Sequence, residues 1–190
     1  MMDGISNQRH QKNYMVSKII VSHDPGWEKA YADEAAELEK AFRQPFQRID
    51  HIGGTCLSGV FTKPIIDTLV QLASFDDEPA WSAALTARGY DTQGEYGTAG
   101  RRYFTRKLTL AGLQGYHVHV YTKGSHHLCR HRAFRAVLVR HPETVHEYSE
   151  LKRRIANASG RLPNDHAARK SPFVERIEAQ ALASFAQKPL

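Results

Sequence analysis

The chain has 190 residues, of which 41% are hydrophobic and 24% charged, and it carries a formal net charge of +6. This length supports one globular domain with a substantial core, and no apolar run approaches the roughly 20 residues that cross a bilayer. Two cysteines outside any Cys-x-x-Cys pair are too few for a disulfide scaffold, so we expect reduced thiols in a cytoplasmic protein.

The positive charge favours an anionic partner. Most of the arginines and lysines fall after residue 100, where glutamates interleave with them, so the chain has no continuous basic arm. Solvated helix faces account for most of these charges. We therefore expect the partner to be a nucleotide or another phosphorylated or anionic small molecule, rather than long nucleic acid or a membrane.

The N-terminal residues 1–17 are polar and are predicted to form a flexible tail, with a single domain over 18–190. Within this domain, Asp24-Pro25 is typical of a helix start, the aspartate serving as the N-cap and the proline as the first helical residue. Aromatic and aliphatic side chains then recur at helical spacing. Pro45 is predicted to end this first helix.

Two strands and a helix are predicted next. Residues 47–52 form the first strand, and 64–72 form the second, which is apolar almost throughout and is therefore predicted to be a central strand covered on both faces. The acidic stretch from Asp76 starts the following helix, and Gly89 is its predicted C-cap.

A glycine-dense loop over residues 91–100 precedes two further strands, 101–110 and 116–121. The second of these strands alternates between apolar and polar side chains. Successive side chains in a strand point to opposite faces of the sheet, so His117 and His119 are expected on one face.

The C-terminal part is predicted to be helical. Two helices follow Ser125 and are separated at His141-Pro142, and a last helix is predicted to open at Ser171-Pro172. The order of elements favours an α+β fold, with a small mixed β-sheet, helices packed on it and a C-terminal helical segment.

One stretch, residues 51–70, carries the chemistry. Gly53, Gly54 and Thr55 follow the first strand and are predicted to open a short helical turn, where unpaired backbone N–H groups form an anion site. Asp67 then interrupts an apolar strand. A carboxylate there is costly to bury unless it is paired, hydrogen-bonded or bound to a metal. The stretch therefore predicts a phosphate on the turn and a cation on Asp67.

The sequence His51-Ile-Gly-Gly-Thr55 followed by Lys63-Pro-Ile-Ile-Asp67 resembles the GrpB family, a branch of the nucleotidyltransferase superfamily. Shorter matches continue in order along the chain, among them Gly100-Arg-Arg-Tyr-Phe104, Tyr116-His-Val-His-Val120 and Lys170-Ser-Pro-Phe-Val174. The resemblance covers roughly residues 20–177. It implies a nucleotidyltransferase-like fold, in which two acids on one strand hold Mg²⁺ against the phosphates of a nucleotide.

The chain departs from this pattern at its most important position. The first acid corresponds to Asp67, but Leu69 stands where the second is expected. Alternation puts both residues on one face, so the leucine removes a metal ligand and disfavours two-metal nucleotidyl transfer. His117 or His119 could join Asp67 in a site suited to Zn²⁺ or another transition metal, or they could simply form the polar wall of a pocket.

Each of the other polar candidate residues has two possible interpretations. His51 is a candidate for proton transfer or for contact with a phosphate, and it could equally cap a strand end. Glu95 lies in the glycine-dense loop, where it could close over the site as a catalytic acid or remain in solvent. Arg101 and Arg102 lie on opposite faces of a strand, so at most one enters the pocket. Lys63 either contacts a phosphate or lies in solvent.

Three functional hypotheses follow. In the first, the chain binds a nucleotide or phosphorylated small molecule and catalyses nucleotidyl or phosphoryl transfer, with Asp67 on Mg²⁺ and His51 or Glu95 moving protons. The second is a non-catalytic ligand-binding or accessory module that has lost the metal site, which Leu69 favours. In the third, Asp67, His117 and His119 serve a different chemistry in a repurposed pocket.

Overall fold

The computed structural model describes residues 19–42, 48–110, 112–156 and 160–187. The predicted tail, 1–17, and the predicted helix end at Pro45 lie outside this part of the chain. The elements in chain order are α1 (Gly26–Phe42), β1 (Arg48–Ile52), β2 (Ile65–Leu72), α2 (Glu78–Ala87), β3 (Asp91–Thr92), β4 (Arg102–Leu110), β5 (Leu113–Thr122), α3 (His126–Arg140), α4 (Pro142–Ile155) and α5 (His166–Gln187).

The five strands form one mixed sheet in the order β1-β2-β5-β4-β3. The pair β2–β5 is parallel, and the other pairs are antiparallel. Six of the eight residues of β2 are buried, because helices cover both faces of this strand. The predicted α+β class, the mixed sheet and the central position of the apolar strand are confirmed.

Helices α1 and α2 cover one face of the sheet. Their aromatic residues pack against the side chains of β2 and β5 that alternate onto this face, as the apolar stripes predict. This core includes Trp27, Phe42, Ile66, Val70, Trp81, Val118 and Val120. Burial of this apolar surface is the main stabilising contribution of the domain.

A buried ion pair ties α1 to the edge of this core. Glu34 is only 5% exposed; it pairs with Arg106 of β4 and accepts a hydrogen bond of 2.8 Å from the Tyr90 hydroxyl. Burial and the neighbouring carboxylate raise the pKa of Tyr90 well above its usual value. The tyrosine therefore remains a hydrogen-bond donor to Glu34.

Helices α3, α4 and α5 lie on the side of the sheet that carries Asp67. They form a second core together with the chain between β1 and β2, through Leu57, Val60, Leu138, Tyr148, Phe173 and Ile177. This packing encloses the space in front of Asp67. Among the described residues, the structure contains no helix whose length and apolarity would let it cross a membrane.

The structure corrects three local predictions. The chain after β1 forms turns over residues 53–59 instead of a short helical turn, so the helix dipole expected at the predicted anion site is missing there. The predicted loop contains the short strand β3, which pairs with β4. The last helix begins at His166, five residues before Ser171-Pro172, because a turn after Pro163 supplies its first hydrogen bonds. Pro172 is accommodated inside the helix.

Candidate functional site

The parallel pairing of β2 and β5 places Asp67 opposite His117 and Leu69 opposite His119. The Nδ1 atom of His117 lies 3.1 Å from Asp67 Oδ1, and Nε2 of His119 lies 3.6 Å from the same oxygen. The three polar side chains that the alternation places on one face therefore meet at a single carboxylate oxygen. The Asp67 side chain is 26% exposed, so the cluster borders on solvent.

The charge state of this cluster follows from its surroundings. Burial raises the pKa of Asp67, but hydrogen bonds from His117 and His119 outweigh this effect and hold the pKa well below its usual range. Burial lowers the pKa of His119, although Asp67 opposes this shift. At neutral pH, Asp67 is therefore a carboxylate and His119 is a neutral imidazole.

Arg101 fixes the tautomer of His119. Its Nη1 atom lies 3.5 Å from Nδ1 of His119, and a guanidinium can only donate a hydrogen bond. Nδ1 must therefore be the acceptor, and the proton of the neutral ring lies on Nε2, which faces Asp67. Arg101 thus orients the N–H group of His119 toward Asp67.

Leu69 closes the position where the family pattern expects a second acid. Its side chain is fully buried in a cluster with Ile52, Tyr121 and Leu128, the last of which comes from α3. A carboxylate at this position would be surrounded by apolar side chains. The leucine is therefore part of how α3 packs onto the sheet.

The residues around Asp67 do not fit Mg²⁺. This ion prefers oxygen ligands in an octahedral arrangement, whereas the neighbours of Asp67 are two imidazole nitrogens, Nδ1 of His117 in a hydrogen bond and Nε2 of His119 at 3.6 Å. Within the described ranges, the side chains of His, Cys, Asp and Glu form no group of three or more that could hold a metal ion.

The Gly53-Gly54 turn makes close contacts that a side chain would prevent. Gly53 has a φ of +76°, and a Cβ atom there would collide with the Asp67 carboxylate. A Cβ atom on Gly54 would collide with Thr62 and come within 2.6 Å of the Nζ atom of Lys152. The two glycines thus let the backbone lie directly between Asp67 and Lys152.

Thr55 and His51 lie behind this turn. Thr55 is buried, and its hydroxyl donates to the Ile65 carbonyl at 3.1 Å. Since this uses its only proton, Nε2 of His51, 3.0 Å away, donates to the Thr55 oxygen. The His51 ring stacks on Tyr31 at 4.4 Å, and burial lowers its pKa to about 4. Both side chains therefore hold the turn in place, and neither lines the cavity described next.

A cavity of about 220 Å³ lies between the turn, β2 and the helices α4 and α5. Three ammonium groups line it together with Asp67 and His117. Its lining residues include Gly53, Gly54, Thr62, Lys63, Tyr148, Lys152, His166 and Lys170. The structure therefore brings the predicted residues Gly53, Gly54, Lys63, Asp67 and His117 together around one space.

Lys152 is a candidate functional residue that the sequence patterns did not single out. It is 8% exposed, its Nζ atom lies 3.2 Å from Thr62 Oγ1, and the ammonium is 4.2 Å from the centre of the Tyr148 ring. Burial lowers its pKa, although Tyr148 opposes this shift. One sequence signal exists: Tyr148 and Ile155, four residues before and three after, place Lys152 on the buried stripe of α4.

The remaining cationic candidates are divided between the two faces of the sheet. The Nζ atom of Lys63 lies 3.3 Å from His166 Nε2 at the edge of the cavity. Arg101 contacts His119, whereas Arg102 forms an ion pair of 2.6 Å with Glu78 of α2 on the opposite face. The alternation of these two arginines is as predicted.

Glu95 closes its own loop. Its carboxylate accepts a hydrogen bond of 2.7 Å from the backbone N–H of Gly100, and the side chain is 53% exposed. Glu95 is not among the residues that line the cavity at Asp67. In this conformation it shapes the glycine-dense loop, and it contributes no acid to the site.

Comparison with known proteins identifies relatives over nearly the whole chain. Residues 18–180 match the family model described as GrpB protein. The UPF0157 protein YqkA of Bacillus subtilis is 31% identical over 162 residues, which is 85% of this chain and 46% of that protein. The UPF0157 protein PA4798 of Pseudomonas aeruginosa is 31% identical over 87% of this chain and 68% of its own length. This chain thus spans less than half of its Bacillus relative.

A solved structure shares the fold. The conserved protein GrpB from Enterococcus faecalis superimposes with a TM-score of 0.79 at 28% identity, covering 88% of this chain and 99% of that one. The Cid1 poly(U) polymerase reaches a TM-score of only 0.46 at 11% identity, a likeness too weak to carry an inference. The family match and the shared fold agree with the motifs from His51 to Asp67: this chain belongs to the GrpB family.

Proposed function

We propose that this chain binds a nucleotide or another phosphorylated small molecule, with a phosphate group in the cavity that Gly54 and Lys152 line together. The observation that carries the proposal is the buried Lys152 ammonium. Within the described part of the chain, no carboxylate lies within ion-pair distance of it. A buried cation without a counter-charge is costly, and a bound anion would offset that cost.

The groups around Lys152 support a phosphate in particular. Lys63 and Lys170 line the same cavity, so three ammonium groups face one carboxylate. The missing side chain at Gly54 lets the Lys152 ammonium lie against the turn, so the ammonium and the backbone border the same cavity. A phosphate carries enough charge and enough acceptor oxygens to contact several of these groups at once.

Calorimetric titration with pyrophosphate and with nucleoside triphosphates tests the proposal. We expect Lys152→Met, which keeps an unbranched side chain one atom shorter and removes the charge, to weaken binding by roughly 10- to 100-fold, the loss of a hydrogen bond to a charged group. Lys29→Met is the matched control, because Lys29 is 79% exposed on α1. Equal affinities for Lys152→Met and wild type would contradict the proposal.

A second candidate function uses the pair of Asp67 and His117 for proton transfer. With its Nδ1 atom hydrogen-bonded to Asp67, His117 has Nε2 available as a base, and the ring lines the proposed phosphate cavity. This arrangement favours a repurposed pocket over two-acid nucleotidyl transfer. Phosphate release from nucleoside triphosphates, measured with wild type and His117→Gln, tests it: turnover that His117→Gln retains in full excludes His117 as the base.

A further inference from the structure

A second cavity of about 270 Å³ adjoins the first. The two share Lys63, Ile65, His117 and His166 as lining residues. A ligand that is anchored beside Lys152 can therefore extend past His117 into this second space. The residues that line the second cavity away from His117 indicate which chemical group of the ligand would bind there.

The far wall is aromatic. Tyr96 and Tyr103 line it, with their ring centres 5.5 Å apart and their planes inclined by 37°. Tyr103 is buried, but Tyr96 is 69% exposed, although it is a large aromatic side chain. Tyr96 is also the only described residue other than glycine with a positive φ, at 43°. A tyrosine in this backbone conformation is strained, and such strain concentrates at ligand contacts.

Hydrogen bonds within the loop hold the backbone of Tyr96 in this conformation. Arg101 donates hydrogen bonds to the carbonyls of Tyr96, at 2.7 Å, and of Glu95, at 3.2 Å. The same guanidinium lies over the Tyr103 ring, 4.7 Å from its centre. Gly100 closes the loop through its bond to the Glu95 carboxylate. The exposed ring is therefore preorganised, which lowers the entropic cost of binding against it.

We propose that Tyr96 and Tyr103 form a stacking platform for the base of a nucleotide whose phosphates bind beside Gly54 and Lys152. This assignment rests on the proposed function and narrows its ligand from any phosphorylated molecule to a nucleotide. Every nucleobase presents a flat π face to an aromatic side chain, so the platform accepts bases through shape and stacking. The shared lining of the two cavities lets one molecule occupy both.

Two substitutions distinguish the contribution of the Tyr96 ring to binding from that of the loop conformation. Tyr96→Asn removes the ring and places at position 96 a residue that tolerates positive φ, and Tyr96→Phe keeps the ring. Both variants are titrated with ATP, CTP and tripolyphosphate. We expect Tyr96→Asn to weaken ATP and CTP binding by roughly 5- to 150-fold, the range measured for base stacking on aromatic side chains. Tyr96→Phe should match wild type, and tripolyphosphate should bind all three proteins equally.

Each remaining outcome has a definite meaning. If Tyr96→Asn binds ATP and CTP as tightly as wild type does, the platform is wrong and the phosphate proposal stands. If tripolyphosphate fails to bind while ATP binds in a Tyr96-dependent way, the platform stands and the phosphate proposal is wrong. If none of the three ligands binds to wild type, the stacking platform and the phosphate proposal are both wrong.

Discussion

The Nζ atom of Lys152 lies so close to Gly54 that a Cβ atom added to residue 54 would come within 2.6 Å of it. Helix α4 and the turn after β1 are therefore fitted to each other at this contact. The fit depends on a glycine for steric reasons alone, because Gly54 does not have a positive φ. It places a backbone segment and a buried ammonium at the same wall of the cavity.

Gly54→Ala should disturb this wall. The added methyl group must push Thr62 and Lys152 aside, and overpacking of this kind typically lowers the free energy of unfolding by about 1–3 kcal/mol. We expect this destabilisation in urea denaturation, together with weaker binding of pyrophosphate. Gly59→Ala is the control, since Gly59 has open space around it and is penalised only through its φ of +79°. A Gly54→Ala protein with wild-type stability and affinity would show that the contact does not matter.

Binding and stability should respond to alkaline pH in opposite directions. Burial lowers the pKa of Lys152 from its ordinary 10.5, so between the lowered value and 10.5 the unfolded chain binds more protons at this residue than the folded one. The contribution of Lys152 to stability therefore rises with pH in this window. Anion affinity falls there, because the ammonium is lost. Titrations over this range should show the decrease in wild type and not in Lys152→Met.

Asp67→Asn should strengthen the binding of pyrophosphate in the absence of Mg²⁺. The substitution keeps the size of the side chain and removes the negative charge that borders the cavity, so the repulsion of an incoming phosphate decreases. Calorimetry in buffer with a chelator measures this. Loss of binding in Asp67→Asn, accompanied by a requirement for Mg²⁺ in wild type, would instead place a metal ion on Asp67.

Acidification should destabilise the fold through two partly buried histidines, His51 and His131. Burial lowers the pKa of His51 to about 4 and that of His131 to about 3, both from an ordinary 6.5. Below pH 6.5 the unfolded chain therefore binds protons that the folded chain does not, and stability falls as the pH drops toward these values. His51→Gln should show a shallower decrease in urea midpoint between pH 6.5 and 4 than wild type. Parallel curves would contradict the neutral, donating His51.

Glu34→Gln should lower the free energy of unfolding of the domain without weakening the binding of pyrophosphate. It leaves the Arg106 guanidinium without its buried counter-charge, and breaking a buried ion pair costs about 3–5 kcal/mol. The lower end of this range applies, since the Arg106 side chain is 21% exposed. Glu37→Gln, at a half-exposed position on the same helix, is the matched control. Similar urea midpoints for the two variants would show that the pair contributes little.

The strand faces and the sheet could be predicted from the sequence because alternation is a local property. Asp67, His117 and His119 share a face as predicted, but only the parallel register of β2 and β5 brings them to one oxygen atom. That register depends on long-range packing. The predicted start of α5 was wrong because Ser171-Pro172 is typical of a first helical turn. Ser171 instead lies inside the helix, where its hydroxyl donates to the Ala167 carbonyl.

The burial of the Lys152 ammonium group could not be predicted from the sequence of α4 alone. A lysine in an amphipathic stripe is ordinarily expected to extend its ammonium group into solvent. Here Thr62 and the Tyr148 ring hold the ammonium inside, and the Thr62 contact depends on how α4 lies across the chain between β1 and β2. Likewise, nothing in the sequence around His51 reveals the stacking on Tyr31 that holds it behind the turn.

The proposed phosphate group binds in the cavity, against the wall that Gly54 and Lys152 form together. A crystal structure of the protein grown with a nucleoside triphosphate tests it most directly. We predict a phosphate oxygen within hydrogen-bond distance of the Lys152 Nζ atom, with its phosphate group against the Gly53-Gly54 turn. Triphosphate density at another surface, with Lys152 still bonded only to Thr62, would contradict the account.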